Sequence, residues 1–520
     1  MKKLLTKLTC IAKDKKAWLA LIAGLVLTFG YAPFELWLTP FFSLALLFYC
    51  LTPNNTAPLS AKRAAKYGFI FGLGWFGAGI SWVHVSIATF GGMPLIASLS
   101  IMALLCAYLS LFPAFACWLS TRLANGPYSF CALLVSGFAV SEYLRGILLT
   151  GFPWLSFGYT QTDGPLRILA PYIGEFGLTL SCIIIGFSLY RLSKKDIKPL
   201  LFSAISLTLL IVAANNTGTN QYSNKTMSTL LVQGNIKQHL RFEPSEFWTT
   251  MSKYQDLTRP HWDVDLVVWP EAAVPEIEAL ADTYLIGLDS AASFNKTALV
   301  TGVVDYQFDT KAIFNTLIVL GNKDNNDEHG QYHYLHKNRY QKHQLLPIGE
   351  FVPFQDVLRH IAPLFDLPMS SFTRGDKVQN NLRANGFNIL PAICYEIAFA
   401  DLVRGNYKSE SDLLFTVSND AWFGDSIGPH QHMQIARMRA LELQRPLIRV
   451  TNNGISAVYD PISHTQQTMP QFKATTMKAN IKLIKGDSVY SQYGNGPVWV
   501  WVLIMAIAGI ATKVRAKINR

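Results

Sequence analysis

Charge is what this sequence has little of. Only 15% of its 520 residues are Asp, Glu, Lys or Arg, while 50% are hydrophobic and the mean hydropathy is +0.22. Soluble globular domains carry about 25% charged residues, so a wholly soluble chain is a poor reading. Cysteine is nearly missing from residues 215–496: of the seven in the chain, only Cys394 lies there. A lone thiol forms no internal disulfide and no four-thiolate zinc site. Repeats, low-complexity tracts and a glycine-rich phosphate loop are also missing. The same region lacks a basic excess, with 25 Lys+Arg against 28 Asp+Glu, whereas the rest of the chain holds 20 against 6. The net charge of +11 therefore belongs to the apolar part, and a nucleic-acid partner is excluded.

What is present in that apolar part is a series of long hydrophobic runs. A bilayer helix needs about 20 mostly apolar residues, and eight stretches qualify or come close: 18–32, 34–51, 67–88, 93–119, 128–149, 166–190, 199–214 and 497–512. With the N-terminus in the cytoplasm, the inner segments carry 18 Lys+Arg and the outer connections near 31–33, 89–92 and 150–165 carry none. That is the asymmetry of the positive-inside rule. Both termini are then cytoplasmic, and residues 215–496 follow seven spans and emerge on the far side, the periplasm of a bacterial inner membrane. The lysine-rich start, MKKLLTKLTC, reads as an uncleaved anchor, because no small-residue cleavage site follows it. The organisation expected is a membrane domain at 1–215, a soluble domain at 225–490 and a last span at 497–512. Glu142, Arg145 and Glu175 are costly in hydrocarbon, so Glu142 and Arg145 either pair one helical turn apart or face a headgroup site.

After residue 224 the pattern changes to short β-branched runs separated by amphipathic stretches. Strands are expected at 227–235, 264–271, 297–304, 312–320, 386–396, 411–420 and 445–454, and helices near 244–258, 275–293, 396–406 and 429–443. The alternation predicts an α/β layered fold. Polar residues in WPE, CYE and SND fall where strands end, which is where such folds place chemistry.

Cys394 is either packed in a core or a nucleophile. A nucleophilic thiol needs a base and a positive charge for the thiolate and the following oxyanion. Glu271, closing LVVWPE, can be the base, and Lys342, in RYQKHQLLPIGE, the cation. Each, taken singly, is equally an ordinary surface residue. His333, His336, His343, His430 and His432 have spacings that ligate zinc elsewhere, but no Asp/Glu motif completes a set. Neither a metal nor a cofactor is expected, and Gln431 and Arg437 read as scaffold.

Taken together, WPE at 269–271, YQKHQLLPIGEFVPF at 340–354, CYE at 394–396 and SNDAWFG at 418–424 resemble the signatures of the nitrilase (carbon–nitrogen hydrolase) superfamily. The preceding spans, YLRGILLTGFPWLSFGYTQTDGPL at 143–166 and VQGNIKQ at 232–238 resemble its membrane-bound branch, the apolipoprotein N-acyltransferases. The resemblance implies an αββα sandwich beside a multi-pass helical membrane domain. It also implies transfer of an sn-1 acyl chain, usually from phosphatidylethanolamine, to the α-amino group of a diacylglyceryl-cysteine apolipoprotein. By the same resemblance Cys394 is the nucleophile, Glu271 the general base, Lys342 the oxyanion-stabilising cation and Glu350 a carboxylate that positions the triad. Tyr395, Glu396 and Phe242 become substrate-binding candidates; Phe242 stands where many relatives have tryptophan and lacks its indole N–H. Trp422, Phe423, Phe351, Phe354 and the stretch 365–372 could form an apolar mouth. A monomer is expected. The alternatives are a membrane-tethered amidase or nitrilase whose thioester is cleaved by water, and a non-catalytic transporter or receptor. Reporter fusions after Ser193 and within 321–330 should read cytoplasm and periplasm respectively. Both on one side would overturn the span count.

Overall fold

A computed structural model describes residues 14–53, 59–90, 92–217, 221–240, 243–347, 349–351 and 372–518. Phe242, Phe354 and all of 365–372 except Phe372 lie outside the described residues. The chain divides into two compact units, Met1–Gly218 with Gln492–Arg520, and Thr219–Ser491.

The first unit is helical: α1 (Lys15–Leu27), α2 (Thr39–Cys50), α3 (Ala61–Gly79), α4 (Leu95–Leu123), α5 (Pro127–Ile147), α6 (Ala170–Ser193), α7 (Lys198–Thr217) and, from the C-terminus, α12 (Gly496–Ile518). Helices long and apolar enough to cross a membrane number four among the described residues, or five if α3 and the segment after its 59° bend form one span. That is fewer than the eight expected. At about 1.5 Å per residue, the 13 residues of α1 and the 12 of α2 reach roughly 20 Å, short of a hydrocarbon core about 30 Å thick. The α1–α3 crossing is close enough that a Cβ on Gly24 would stand 2.1 Å from the Phe71 carbonyl oxygen; small residues let membrane helices approach in this way. Arg145 is buried and paired with Glu142. It also donates to the carbonyls of Phe152 and Trp154, each at 2.6 Å, and to Ser156 Oγ at 2.9 Å. Of the two readings of this pair, the geometry favours the structural one: the guanidinium pins the turn after α5. Glu175 accepts from Thr179 Oγ1 at 2.6 Å.

The second unit is a sandwich of two six-stranded sheets, ordered β12-β1-β2-β3-β4-β5 and β11-β10-β9-β8-β7-β6. The strands are β1 (Gln221–Gln233), β2 (Leu266–Val268), β3 (Ala298–Gln307), β4 (Ala312–Gly321), β5 (Arg339–Gln341), β6 (Leu382–Ala384), β7 (Phe387–Ile393), β8 (Leu413–Ser418), β9 (Leu447–Thr451), β10 (Ala457–Tyr459), β11 (Gln466–Thr468) and β12 (Thr475–Lys485). Strands β1, β2 and β3 run parallel, as do β7, β8 and β9. Between the sheets Leu231, Val268 and Val300 pack in one core with Ile393, Phe415 and Val450. On the outer face of the first sheet Leu230, Val267 and Leu299 meet Met251 and Tyr254 of α8 (Phe247–Thr258) and Leu285 and Leu288 of α9 (Asp282–Phe294). The short α10 (Ala400–Asn406) and α11 (Gly428–Leu443) contact β7 and β9 of the second sheet. Covered on both faces, the parallel strands carry runs of buried apolar residues, as in β2 (LVV), which is why they are readable in the sequence.

The helix expected from 275 begins only at Asp282. Residues 271–278 lie instead along β3, with the Val274 N–H donating to the Gly302 carbonyl at 3.2 Å and that of Glu278 to Val304 at 2.9 Å. Two prolines, Pro270 and Pro275, withhold donors that a helix would need. Gly302 permits this approach, since a Cβ there would lie 2.3 Å from Ala272 N. Gly302→Ala should lower the apparent melting temperature by several degrees, because an overpacked core costs roughly 1–3 kcal/mol. Gly405→Ala in α10, with open space around it, should leave the melting curve unchanged or raise it.

Candidate active site

The parallel strands of both sheets deliver their carboxyl ends to one edge, and the two sheets are stitched together there. Asn235 N donates to the Asn452 carbonyl at 2.8 Å and Asn419 N to Glu271 Oε2 at 2.9 Å. Glu271 follows β2, Cys394 follows β7, Ser418 ends β8 and Lys342 follows β5.

Lys342 is 1% exposed, and its ammonium donates to Glu350 Oε1 at 2.8 Å and to Glu271 Oε1 at 3.4 Å. Burial works against the ammonium, but Glu350 and then Glu271 outweigh it and hold the pKa above the ordinary lysine value. Asn315, on β4, bridges the two carboxylates by donating at 2.7 Å to Glu271 and 3.0 Å to Glu350. Its own carbonyl accepts from the Lys342 N–H at 2.9 Å. Glu350 Oε2 takes the Leu346 N–H at 2.8 Å, closing the turn that carries it.

Cys394 sits at φ +53, in the left-handed region that costs a non-glycine residue about 1–3 kcal/mol. The kink turns the chain out of β7 into a single 3₁₀ turn, Cys394–Ala398, and delays α10 to residue 400. Burial pushes the Cys394 thiol up to about 12; Glu271 adds to the rise and Lys342 opposes it. The resting sulfur is therefore a thiol that needs a base at the moment of attack.

Glu396 is fully buried. Its oxygens accept from His343 N at 2.7 Å, Gln344 N at 3.0 Å, Ile393 N at 2.8 Å and Tyr340 Oη at 3.0 Å. Four donors match the roughly four lone-pair sites of a carboxylate. Glu396, a candidate substrate contact, thus ties the residue before Cys394 to the residue after Lys342. Tyr395 is likewise buried, its ring edge-on to Phe399 at 5.0 Å. Trp422 and Phe351 are half-buried, beside Asp420 and Glu350 in sequence, and Arg374 lies over the Phe351 ring.

Sequence reasoning passed over a second polar cluster behind Cys394. Arg449 Nη2 donates to Asp420 at 2.8 and 3.1 Å, and Ser418 Oγ lies 2.7 Å from Asp420 Oδ1 and 3.2 Å from Cys394 Sγ. Although burial opposes the charge, Arg449 holds the Asp420 carboxyl well below the usual carboxylate range. His432 belongs here too, its pKa lowered by burial and by Arg449. SND at a strand end was the available signal; Arg449, inside β9, gave none. Among the described residues, the histidines and carboxylates form no group of three that could hold a metal.

A kinked cysteine, a buried lysine and a carboxylate gathered at one edge of this sandwich place the soluble unit in the carbon–nitrogen hydrolase class, and residues 231–489 match that family. Residues 23–188 match the apolipoprotein N-acyltransferase N-terminal domain. The chain is 47% identical over 489 residues to the apolipoprotein N-acyltransferase of Photobacterium profundum, covering 93% of this chain and 92% of that one. It is 43% identical over 495 residues to that of Vibrio cholerae, with 94% and 95% covered. Against the solved structure of Saccharomyces cerevisiae Nit3, a nitrilase superfamily member, it shows 16% identity and a TM-score of 0.37, covering 50% of this chain and 93% of that one. The chain belongs to the apolipoprotein N-acyltransferase family, and it is membrane-bound.

Lys342→Ala should lower turnover by about 100- to 1,000-fold, the loss typical of one oxyanion donor, while the protein still inserts. Lys342→Arg should not restore the rate, because a planar guanidinium cannot replace a compact ammonium between Glu271 and Glu350. Wild-type rates in Lys342→Ala would remove it from the chemistry.

Proposed function

We propose that this protein transfers the sn-1 acyl chain of a phospholipid, with phosphatidylethanolamine as donor, to the α-amino group of an S-diacylglyceryl-cysteine apolipoprotein, through a thioester on Cys394. The observation that carries the reading is the buried Lys342 ammonium, within 3.4 Å of Glu271 and 2.8 Å of Glu350, at the same sheet edge as a nucleophile in a strained conformation. In the first half-reaction Glu271 takes the thiol proton and the sulfur attacks the ester carbonyl. Lys342 and a backbone N–H stabilise the tetrahedral oxyanion. The C–O bond then breaks and lysophospholipid leaves with the proton from Glu271. In the second, Glu271 takes a proton from the incoming amine nitrogen, the amide forms and the thiolate departs. Glu350 positions Lys342 and Glu271, while Trp422 and Phe351 are assigned to acyl-chain binding, with Tyr395, Glu396 and Phe242 as further substrate-binding candidates.

The membrane region serves this chemistry because acyl chains leave a bilayer only at about 0.8 kcal/mol per CH₂. We assign eight spans, with α7 and the short α1 and α2, each extended by its flanking apolar turns, completing the longer helices, in domains 1–215, 225–490 and 497–512. Both termini are cytoplasmic, the soluble unit is periplasmic at the inner membrane, and the protein is a monomer. The absence of basic residues from the three outer connections supports this orientation.

Incubation with phospholipid alone should load Cys394 with an acyl group that persists, is released by neutral hydroxylamine and is absent in Cys394→Ala. A diacylglyceryl-cysteine peptide should then discharge it as an N-acylated product. Free fatty acid without a detectable adduct, and no acylated peptide, would replace acyl transfer by a tethered hydrolase.

A further inference from the structure

The Ser418 hydroxyl, 3.2 Å from Cys394 Sγ and 2.7 Å from Asp420 Oδ1, has one proton and cannot donate to both. The competing carboxylate is fixed, held by two contacts from Arg449, and Ser418, Asp420, His432 and Arg449 are all at most 2% exposed. His432 Nδ1 lies 2.9 Å from Arg449 Nη2 and its Nε2 3.0 Å from the Cys394 carbonyl oxygen. Nδ1 also lies 3.3 Å from Asp420 Oδ1; a carbonyl only accepts, so Nε2 carries a hydrogen and donates to it. The backbone of the nucleophile is thus held in place, and its sulfur faces a hydroxyl that turns between two acceptors.

We propose that Ser418 is a further catalytic residue, a two-position hydroxyl that donates to the Cys394 sulfur while it carries negative charge and to Asp420 while it is acylated. The inference rests on Cys394 being the nucleophile. As the thiol proton passes to Glu271 and the S–C bond forms, the Ser418 O–H points at the sulfur. A thioester sulfur is a poor acceptor, so the hydroxyl then turns to Asp420. In the second half-reaction the N–C bond forms, the C–S bond breaks with its electron pair staying on sulfur, and Ser418 turns back. The proton released by the amine nitrogen returns to the thiolate through Glu271. Asp420, His432 and Arg449 act as positioning residues.

The test is Ser418→Ala and Ser418→Thr in the full-length protein, reading Cys394 alkylation by iodoacetamide against pH together with kcat and KM for acyl transfer. The charged groups facing the sulfur are Glu271, Lys342 and Asp420, and none is altered. Ser418→Ala should slow alkylation and kcat on the order of tenfold to a hundredfold, the range for a hydrogen bond to a charged group. It should move the alkylation profile to higher pH and leave KM within about twofold; Ser418→Thr, which keeps the hydroxyl, should recover most of the rate. Ser418→Cys, nearly isosteric and a weaker donor, gives the same comparison through the single-turnover rate of acyl loading if the alanine variant does not fold. Wild-type alkylation and kcat in Ser418→Ala, with Cys394→Ala inactive, would overturn the role of Ser418 and leave acyl transfer standing. A lowered melting temperature with an unchanged alkylation profile would also overturn it, assigning Ser418 to packing. Activity in Cys394→Ala would instead remove the reading on which the proposal rests.

Discussion

The site depends on one buried ammonium shared by two carboxylates. Lys342 alone would be costly to bury, and Glu271 and Glu350 would repel one another without it. Counted as charges, two carboxylates and one ammonium leave an excess of one negative before the thiol reacts. In the proposed activation, moving the thiol proton to Glu271 turns one carboxylate neutral and one sulfur negative, so the excess is unchanged. The field that Lys342 must balance is therefore nearly the same before and after activation, and little reorganisation is required at the moment of attack. Asn315 contributes by holding the two carboxylates in register with the backbone of Lys342.

That arrangement would fail if the nucleophile could drift relative to the ammonium. The two lie on different sheets, Lys342 after β5 of the first and Cys394 after β7 of the second. Glu396 joins them directly, accepting from the N–H groups on either side of the gap. The left-handed backbone at Cys394 is a strained state that persists because its surroundings over-determine it: Glu396 bonds the preceding N–H, and His432 bonds the cysteine's own carbonyl.

Most of the framework was legible because parallel strands buried on both faces leave continuous apolar runs, as in LVVWPE and SDLLFTVSND. What escaped were the strands that do not carry that signal. β5 and β6 have three residues each, and β12 alternates lysines and apolar residues, with its Lys478 and Lys482 exposed beside buried Ala479 and Ile481. The candidate triad was assembled from recognisable segments rather than from spacing, since 71 and 52 residues separate its members in the chain. Asn315 and Arg449 were missed for one physical reason: each lies inside a strand that reads as core. A polar residue there becomes informative only once its partner on another strand is known. The short helices α1 and α2 show the converse limit. Composition marks each as one apolar run, but the helix itself occupies only part of it, because the run continues through the turns at both ends.

The two buried carboxylates that face Cys394 are held in different ways, and the difference divides their labour. Asp420 has a whole guanidinium for its partner, at 2.8 and 3.1 Å, and both groups are sealed from solvent. Its charge is fixed, so it can orient a hydroxyl but is unsuited to carrying a proton through a reaction cycle. Glu271 shares a single ammonium with Glu350 and takes its other support from the Asn315 side chain and the Asn419 backbone N–H. Neutral donors of that kind hold a carboxyl group in place without requiring it to stay ionised. The chain thus sets a permanent negative charge on one side of its sulfur and, on the other, the carboxyl to which the proposed mechanism gives the proton. In the proposed cycle the thiol is consumed once and regenerated once, and each passage calls on both.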